Sequence, residues 1–290
     1  MNGADLDQSI LTLINDSARK LEQTLNADVM FYHGPIHPAY FRFFRNFVET
    51  VKDKSERADG AIAVVLRTGG GSAETVERMV DVLRHHYQSV YFVVPDYAMS
   101  AGTILCMSGD KIYMDYASSL GPIDPQIMSP DGSAYIPAMG YLDKVEELTA
   151  KPDLNPGDVV LLNGIDLGKL ALFEQARNLS VDLLQRWLVS FKFKDWNVHR
   201  TNRPGEPVTD DEKRERAREV ARQLSDHKLW RSHGRALNIA RLKEIRLEID
   251  DYSTADGLRD AIRQYNDLLT AHVDRNQFPF YLHSHLIEGV

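Results

Sequence analysis

The stretch "PDYAMSAGTILCM" (residues 95–107) places one hydroxyl, Ser100, between a buried apolar run and a segment with helix-like spacing. A serine at such a junction sits on a sharp turn, and the small side chains of Ala101 and Gly102 let a carbonyl carbon approach it. The Ala101 amide then points outward and can receive a developing oxyanion. A second donor is needed, and "RTGGGSAET" (residues 67–75) offers it, because glycine permits backbone conformations that turn an N–H into a cavity. Gly71, with Gly70 beside it, is the expected donor. The chemistry implied is acyl transfer through a serine nucleophile. Two plainer readings compete: Ser100 as an ordinary helix N-cap, and the glycines as a strand-to-helix turn. No Gly-Lys-Ser/Thr follows at phosphate-loop spacing, and the G-x-G-x-x-G dinucleotide pattern is absent.

The elements around these residues can be read from periodicity. Leu6, Ile10, Leu13, Ile14, Ala18, Leu21 and Leu25 mark an amphipathic helix over residues 5–26. "ADVMFYHG" reads as a strand, and "AYFRFFRNFVETV" as a helix with Phe41, Phe44, Phe47 and Val48 on one face. "AIAVVLRT" (61–68) and "SVYFVVP" (89–95) are continuous apolar runs, the pattern of strands covered on both faces. Between them lies a helix opened by Ser72. "KIYMD" (111–115) is a further strand. Such an alternation predicts an α/β fold with a parallel sheet, whose strand ends carry the chemistry. From Ala138 onward the pattern is mostly helical, and the segment from Leu167 to Phe193 shows a wide apolar face. "RTNRPGEPVTDDEK" (200–213) reads as a linker, with a capping box at Thr209 and Glu212. The expected organisation is an N-terminal helix, strand and helix over 1–55 joining the core, a catalytic core over 56–200, and a helical extension over 201–290.

Composition narrows the classes. A net charge of −8 argues against nucleic acid as a partner. The single cysteine, Cys106, excludes an intrachain disulfide and fits a reducing, cytoplasmic location. No secretory signal is visible, and no run approaches the roughly 18 apolar residues of a membrane span. His85-His86 and His283-Ser284-His285 lack a third ligand, so no metal is expected. The basic run from Lys228 to Arg246 reads as a solvated helix face.

The pieces "FYHGPI", "LRTGGG", "MSAGT", "SLGPIDPQI" and "SHGRALNI", spread over residues 31–240, together resemble the serine dehydrogenase proteinases. That family consists of soluble bacterial relatives of signal peptide peptidase A and the Clp protease, and the group shares the crotonase-like ββα spiral. The resemblance implies a serine peptidase acting on peptides or unfolded chains through Ser100, with Gly71 and Ala101 as the oxyanion hole. It also implies a homo-oligomer, with the helices over 5–26 and 167–193 at its interfaces. No cofactor is expected, since neither a pyridoxal-phosphate lysine motif nor a dinucleotide fingerprint accompanies the family name. The segment 123–127 reads Ile-Asp-Pro-Gln-Ile, without the histidine a Clp-type triad would place there. The signal peptide peptidase A relatives place a lysine further downstream, which points to Lys151 as general base and Lys144 as its rival. His233 in "SHGRALNI" could be a base, a substrate contact or an interface residue, and a structural histidine is the preferred reading. Two other classes remain open: a crotonase-type acyl-CoA enzyme, and a scaffold that kept the fold without the chemistry.

Overall fold

The apolar run Ala61–Leu66 is buried along its whole length, and the reason is a sheet with helices on both faces. The computed structural model describes residues 3–57, 60–128 and 135–287. In chain order these form α1 (Gly3–Leu25), β1 (Asp28–His33), α2 (Phe41–Lys54), β2 (Ala61–Arg67), α3 (Ala73–His86) and β3 (Ser89–Val94). There follow β4 (Tyr97–Ala98), α4 (Ala101–Cys106), β5 (Lys111–Met114), β6 (Ser119–Leu120), β7 (Gln126–Met128) and β8 (Tyr135–Pro137). The remainder comprises α5 (Ala138–Thr149), α6 (Pro156–Asn163), α7 (Leu167–Trp187), α8 (Asp210–Ser225), α9 (His227–Trp230), α10 (Ile239–Glu244), β9 (Asp250–Asp251), α11 (Asp256–Asn276) and β10 (Tyr281–His283).

Six strands form the main sheet in the order β10-β1-β2-β3-β5-β9. All neighbours are parallel except β10, which runs antiparallel to β1. Side chains alternate across a strand, so each strand feeds two cores. Ile62, Val64 and Leu66 of β2 join Phe44, Met79, Leu105 and Leu184 of α2, α3, α4 and α7 on one face. Ala63 and Val65 face the other way, onto Ile14, Ala18 and Leu21 of α1 and Ile262, Tyr265 and Leu269 of α11.

Part of the stripe of residues 5–26 packs within the chain, with Ile14, Ala18 and Leu21 buried in the core that α11 shares, while Leu13 stays 54% exposed. On α7, Phe173, Leu183, Leu184 and Trp187 are buried within the chain. The Thr209–Glu212 capping box opens α8 as the sequence implies. The residues beyond 201 do more than extend the core, because they contribute β9, β10 and α11 to the sheet and its cover. Among the described residues no helix is long and apolar enough to cross a membrane.

Candidate active site

Ser100 lies between β4 and α4 with φ 51° and ψ −116°, in a region that favours glycine. Holding a serine there costs on the order of 1–3 kcal/mol, which the surrounding hydrogen bonds must offset. Thr68 N donates to Tyr97 O at 3.2 Å, Met99 N to Thr68 O at 3.0 Å, and Gly102 N to Met99 O at 2.8 Å. The Ser100 side chain makes no capping hydrogen bond to α4, so the N-cap reading of this residue does not hold. Ala101 occupies the first helical position, where an amide has no acceptor within its own helix.

The glycine loop closes on this turn from the β2 side. Gly70 has φ 104° and Gly71 φ 147°, both left-handed. A Cβ on Gly70 would stand 2.9 Å from Ser100 Cβ and 2.7 Å from Met99 O, and one on Gly71 would stand 2.0 Å from Ile36 O. Only glycine fits either position. The two amides differ in availability: Gly70 N donates to Thr68 Oγ1 at 3.1 Å. Ile36 straddles Gly71, donating its N–H to Gly70 O at 2.8 Å and accepting from Ser72 N at 2.9 Å. In such a parallel bridge the central residue turns its own N–H away from the partner. Gly71 and Ala101 therefore carry the amides left for a ligand.

These residues line a cleft of about 920 Å³ at the carboxyl ends of the parallel strands. Ile104, Ile123, Ala176 and Leu179 give its lining an apolar share, and His33, Arg67 and Tyr97 line it as well. His233 lines the same cleft, and its Nδ1 lies 3.0 Å from Oδ1 of Asp124. Asp124 is 2% exposed. Local pairing brings these distant segments together. Leu120 of β6 and Leu237 exchange both backbone hydrogen bonds, at 3.1 and 2.8 Å, and Ile123 N donates to Leu224 O at 3.0 Å. Thr103, fully buried on α4, ties the Ser100 turn to the Asp124 loop: its Oγ1 accepts from Gly121 N at 2.9 Å and lies 2.8 Å from Ala98 O.

The two lysines stand elsewhere. Lys151 Nζ lies 2.7 Å from Oδ1 of Asp158, whose carboxyl is held below its usual range chiefly by that hydrogen bond. Asp158 is itself part of the capping box that opens α6, so the lysine is engaged by a helix terminus. Lys144 is exposed and bonds Glu147 at 3.0 Å. Neither lines the cleft. Cys106 is completely buried, and burial pushes its thiol up, which removes it as a nucleophile. Ser100, Ala101, Gly70, Gly71 and His233 thus come to one cleft, while Lys151 and Lys144 do not. Sequence reasoning did not single out Asp124. Its signal was the "GPIDPQ" turn, read there as part of the family resemblance and for the histidine it lacks.

A strained serine facing a glycine loop agrees with what comparison with known proteins finds: residues 47–199 match the family of ClpP-like SDH-type serine proteinases. The chain belongs to that family. The matched span of this ClpP-like proteinase holds the glycine loop, Ser100, Asp124, Lys144 and Lys151, whereas His233 falls beyond it. Two uncharacterized proteins of Methanocaldococcus jannaschii are 26% and 27% identical to it over 192 residues. That alignment covers 66% of this chain, which spans about half the length of those relatives, 53% and 54%. Among solved structures, two variants of a membrane-bound stomatin-specific protease are similar, each with a TM-score of 0.45. They are 14% and 16% identical, and the match covers 80% and 79% of this chain and 82% and 76% of theirs. The second was solved with a substrate peptide.

Proposed function

We propose that this serine proteinase cleaves peptide bonds through Ser100, with the Gly71 and Ala101 amides as its oxyanion hole. The observation that carries the reading is the backbone of Ser100: a non-glycine residue held at φ 51°, uncapped, with Gly70 pressed against its Cβ. Strain of this kind persists only where the surroundings over-determine it. A helix cap would need none of it. In the reaction, Ser100 Oγ forms a bond to the substrate carbonyl carbon while the carbonyl π electrons move onto oxygen. The two amides hold that oxyanion, and its collapse breaks the C–N bond, leaving an acyl-serine that water hydrolyses.

A crotonase-type reaction on an acyl thioester would use the same pair of amides but needs no serine, and it gives the conformation of Ser100 no purpose. A fluorophosphonate probe separates the readings. The expected result is one adduct per chain, located by peptide mapping on Ser100 and absent from Ser100→Ala, with casein hydrolysis lost in the same variant. Saturable acyl-CoA binding with activity kept in Ser100→Ala would overturn the peptidase reading.

A further inference from the structure

We infer that His233, oriented by Asp124, is the general base for Ser100, in place of the lysine that the sequence resemblance implies; this rests on Ser100 being the nucleophile. Three observations lead to it. His233 is in the cleft that Ser100 lines, and Lys151 and Lys144 are not. The Nδ1 of His233 faces a carboxylate at 3.0 Å, and a carboxylate accepts hydrogen bonds, so the tautomer this contact selects in the neutral ring has its proton on Nδ1 and its lone pair on Nε2. Both partners are fixed in place. The Leu120–Leu237 pairing sets the His233 segment against β6, and Thr103 Oγ1 joins the loop carrying Asp124 to the helix carrying Ala101.

A proton acceptor must be neutral before the reaction and must reach the nucleophile. Lys151 does not line the cleft, and its Nζ is engaged by the Asp158 carboxylate at 2.7 Å. Lys144 spends its hydrogen bonds on Glu147 at the surface. His233 lines the same cleft as Ser100, with a side chain only 18% exposed. The step balances as follows. Ser100 Oγ–H gives its proton to His233 Nε2 as the Oγ–C bond forms. The resulting imidazolium is stabilised by Asp124 and returns the proton to the departing amine nitrogen as the C–N bond breaks. Water repeats the sequence on the acyl-enzyme, restoring the hydroxyl of Ser100.

The Asp-His pair explains why the "GPIDPQ" turn carries no histidine: the imidazole arrives from a segment 109 residues further along the chain. It also gives the "SHGRALNI" piece a chemical task. Asp124 does not touch the substrate. It is a positioning residue, acting through the tautomer and orientation of His233.

The test is the rate of fluorophosphonate labelling at Ser100 in the full chain, measured for the parent, His233→Gln, Asp124→Asn, Lys151→Ala and Lys144→Ala. Glutamine keeps a hydrogen-bonding group beside Asp124, so the fold is retained while the base is removed. The expected result is a slowing of roughly 100- to 10,000-fold in His233→Gln, with both lysine variants labelling at the parent rate. Asp124→Asn is expected to lower the maximal inactivation rate while leaving the concentration for half-maximal inactivation unchanged, a split that general unfolding would not produce. Parent-rate labelling in His233→Gln, or loss of labelling in either lysine variant, overturns the inference and leaves Ser100 as nucleophile. No adduct on the parent overturns the serine reading itself, and the His233 assignment with it.

Discussion

At Ser100 and its neighbours the chemistry is written in local sequence, because a positive φ, a glycine contact and a free amide depend on residues a few positions away. That is why residue types and spacing, together with the family resemblance, single out Ser100, Gly71 and Ala101 as candidates. The same locality makes Gly70 a sharp test. An alanine there would need φ 104° and would put its Cβ 2.9 Å from that of Ser100. Gly70→Ala is expected to cost about 1–3 kcal/mol by urea denaturation and to slow labelling of Ser100. Thr103 gives a second test at this scale. Thr103→Val removes the hydroxyl that accepts from Gly121 N and leaves a buried amide without a partner, at about 1–3 kcal/mol. Thr103→Ser, which keeps the oxygen, is expected to recover the labelling rate.

Among the elements, the strands were legible because burial on both faces gives continuous apolar runs, as in β2 and β3. β10 was not. Three residues long, with a histidine at its end, it has no pattern of its own and is placed by pairing with β1. That histidine carries a pH prediction. His283 is 2% exposed, accepts from the Tyr265 hydroxyl at 2.9 Å, and donates from Nε2 to Asn15 at 3.1 Å, an arrangement that requires the neutral ring. Burial first, then the neighbouring His285 and His272, push its imidazole from 6.5 down to about 3. Between those values the unfolded chain binds a proton that the folded chain does not, so stability falls as the pH drops below 6.5. Between neutrality and pH 5 the loss from this group is about 2 kcal/mol. Urea titrations at several pH values check it, and His283→Gln is expected to flatten the slope.

For the molecule as a whole, contacts that join distant segments decide what sequence cannot. Lys151 lies near the core in sequence, whereas His233 is brought to the cleft by the Leu120–Leu237 pairing, a contact that no local pattern announces. Assembly depends on such contacts too: apolar faces on α1 and α7 are visible in the sequence, but what covers them is not. Leu184 is fully buried inside the chain, so Leu184→Arg is expected to destabilise the fold by more than about 4 kcal/mol, seen as a shifted urea midpoint. Several exposed apolar side chains cluster on α6 and the start of α7, where Val160 and Leu167 are 71% and 74% exposed. If the chain forms a homo-oligomer through that surface, light scattering gives a mass above 32.9 kDa that falls in Val160→Asp. The central claim concerns a site assembled from three remote parts of the chain, and a crystal structure of the fluorophosphonate-treated protein tests it most directly. The account predicts phosphorus bonded to Ser100 Oγ, its oxygen about 2.7–3.1 Å from the Gly71 and Ala101 amides, and His233 as the nearest base. A lysine ammonium in the place of His233, or phosphorus on any other residue, would contradict it.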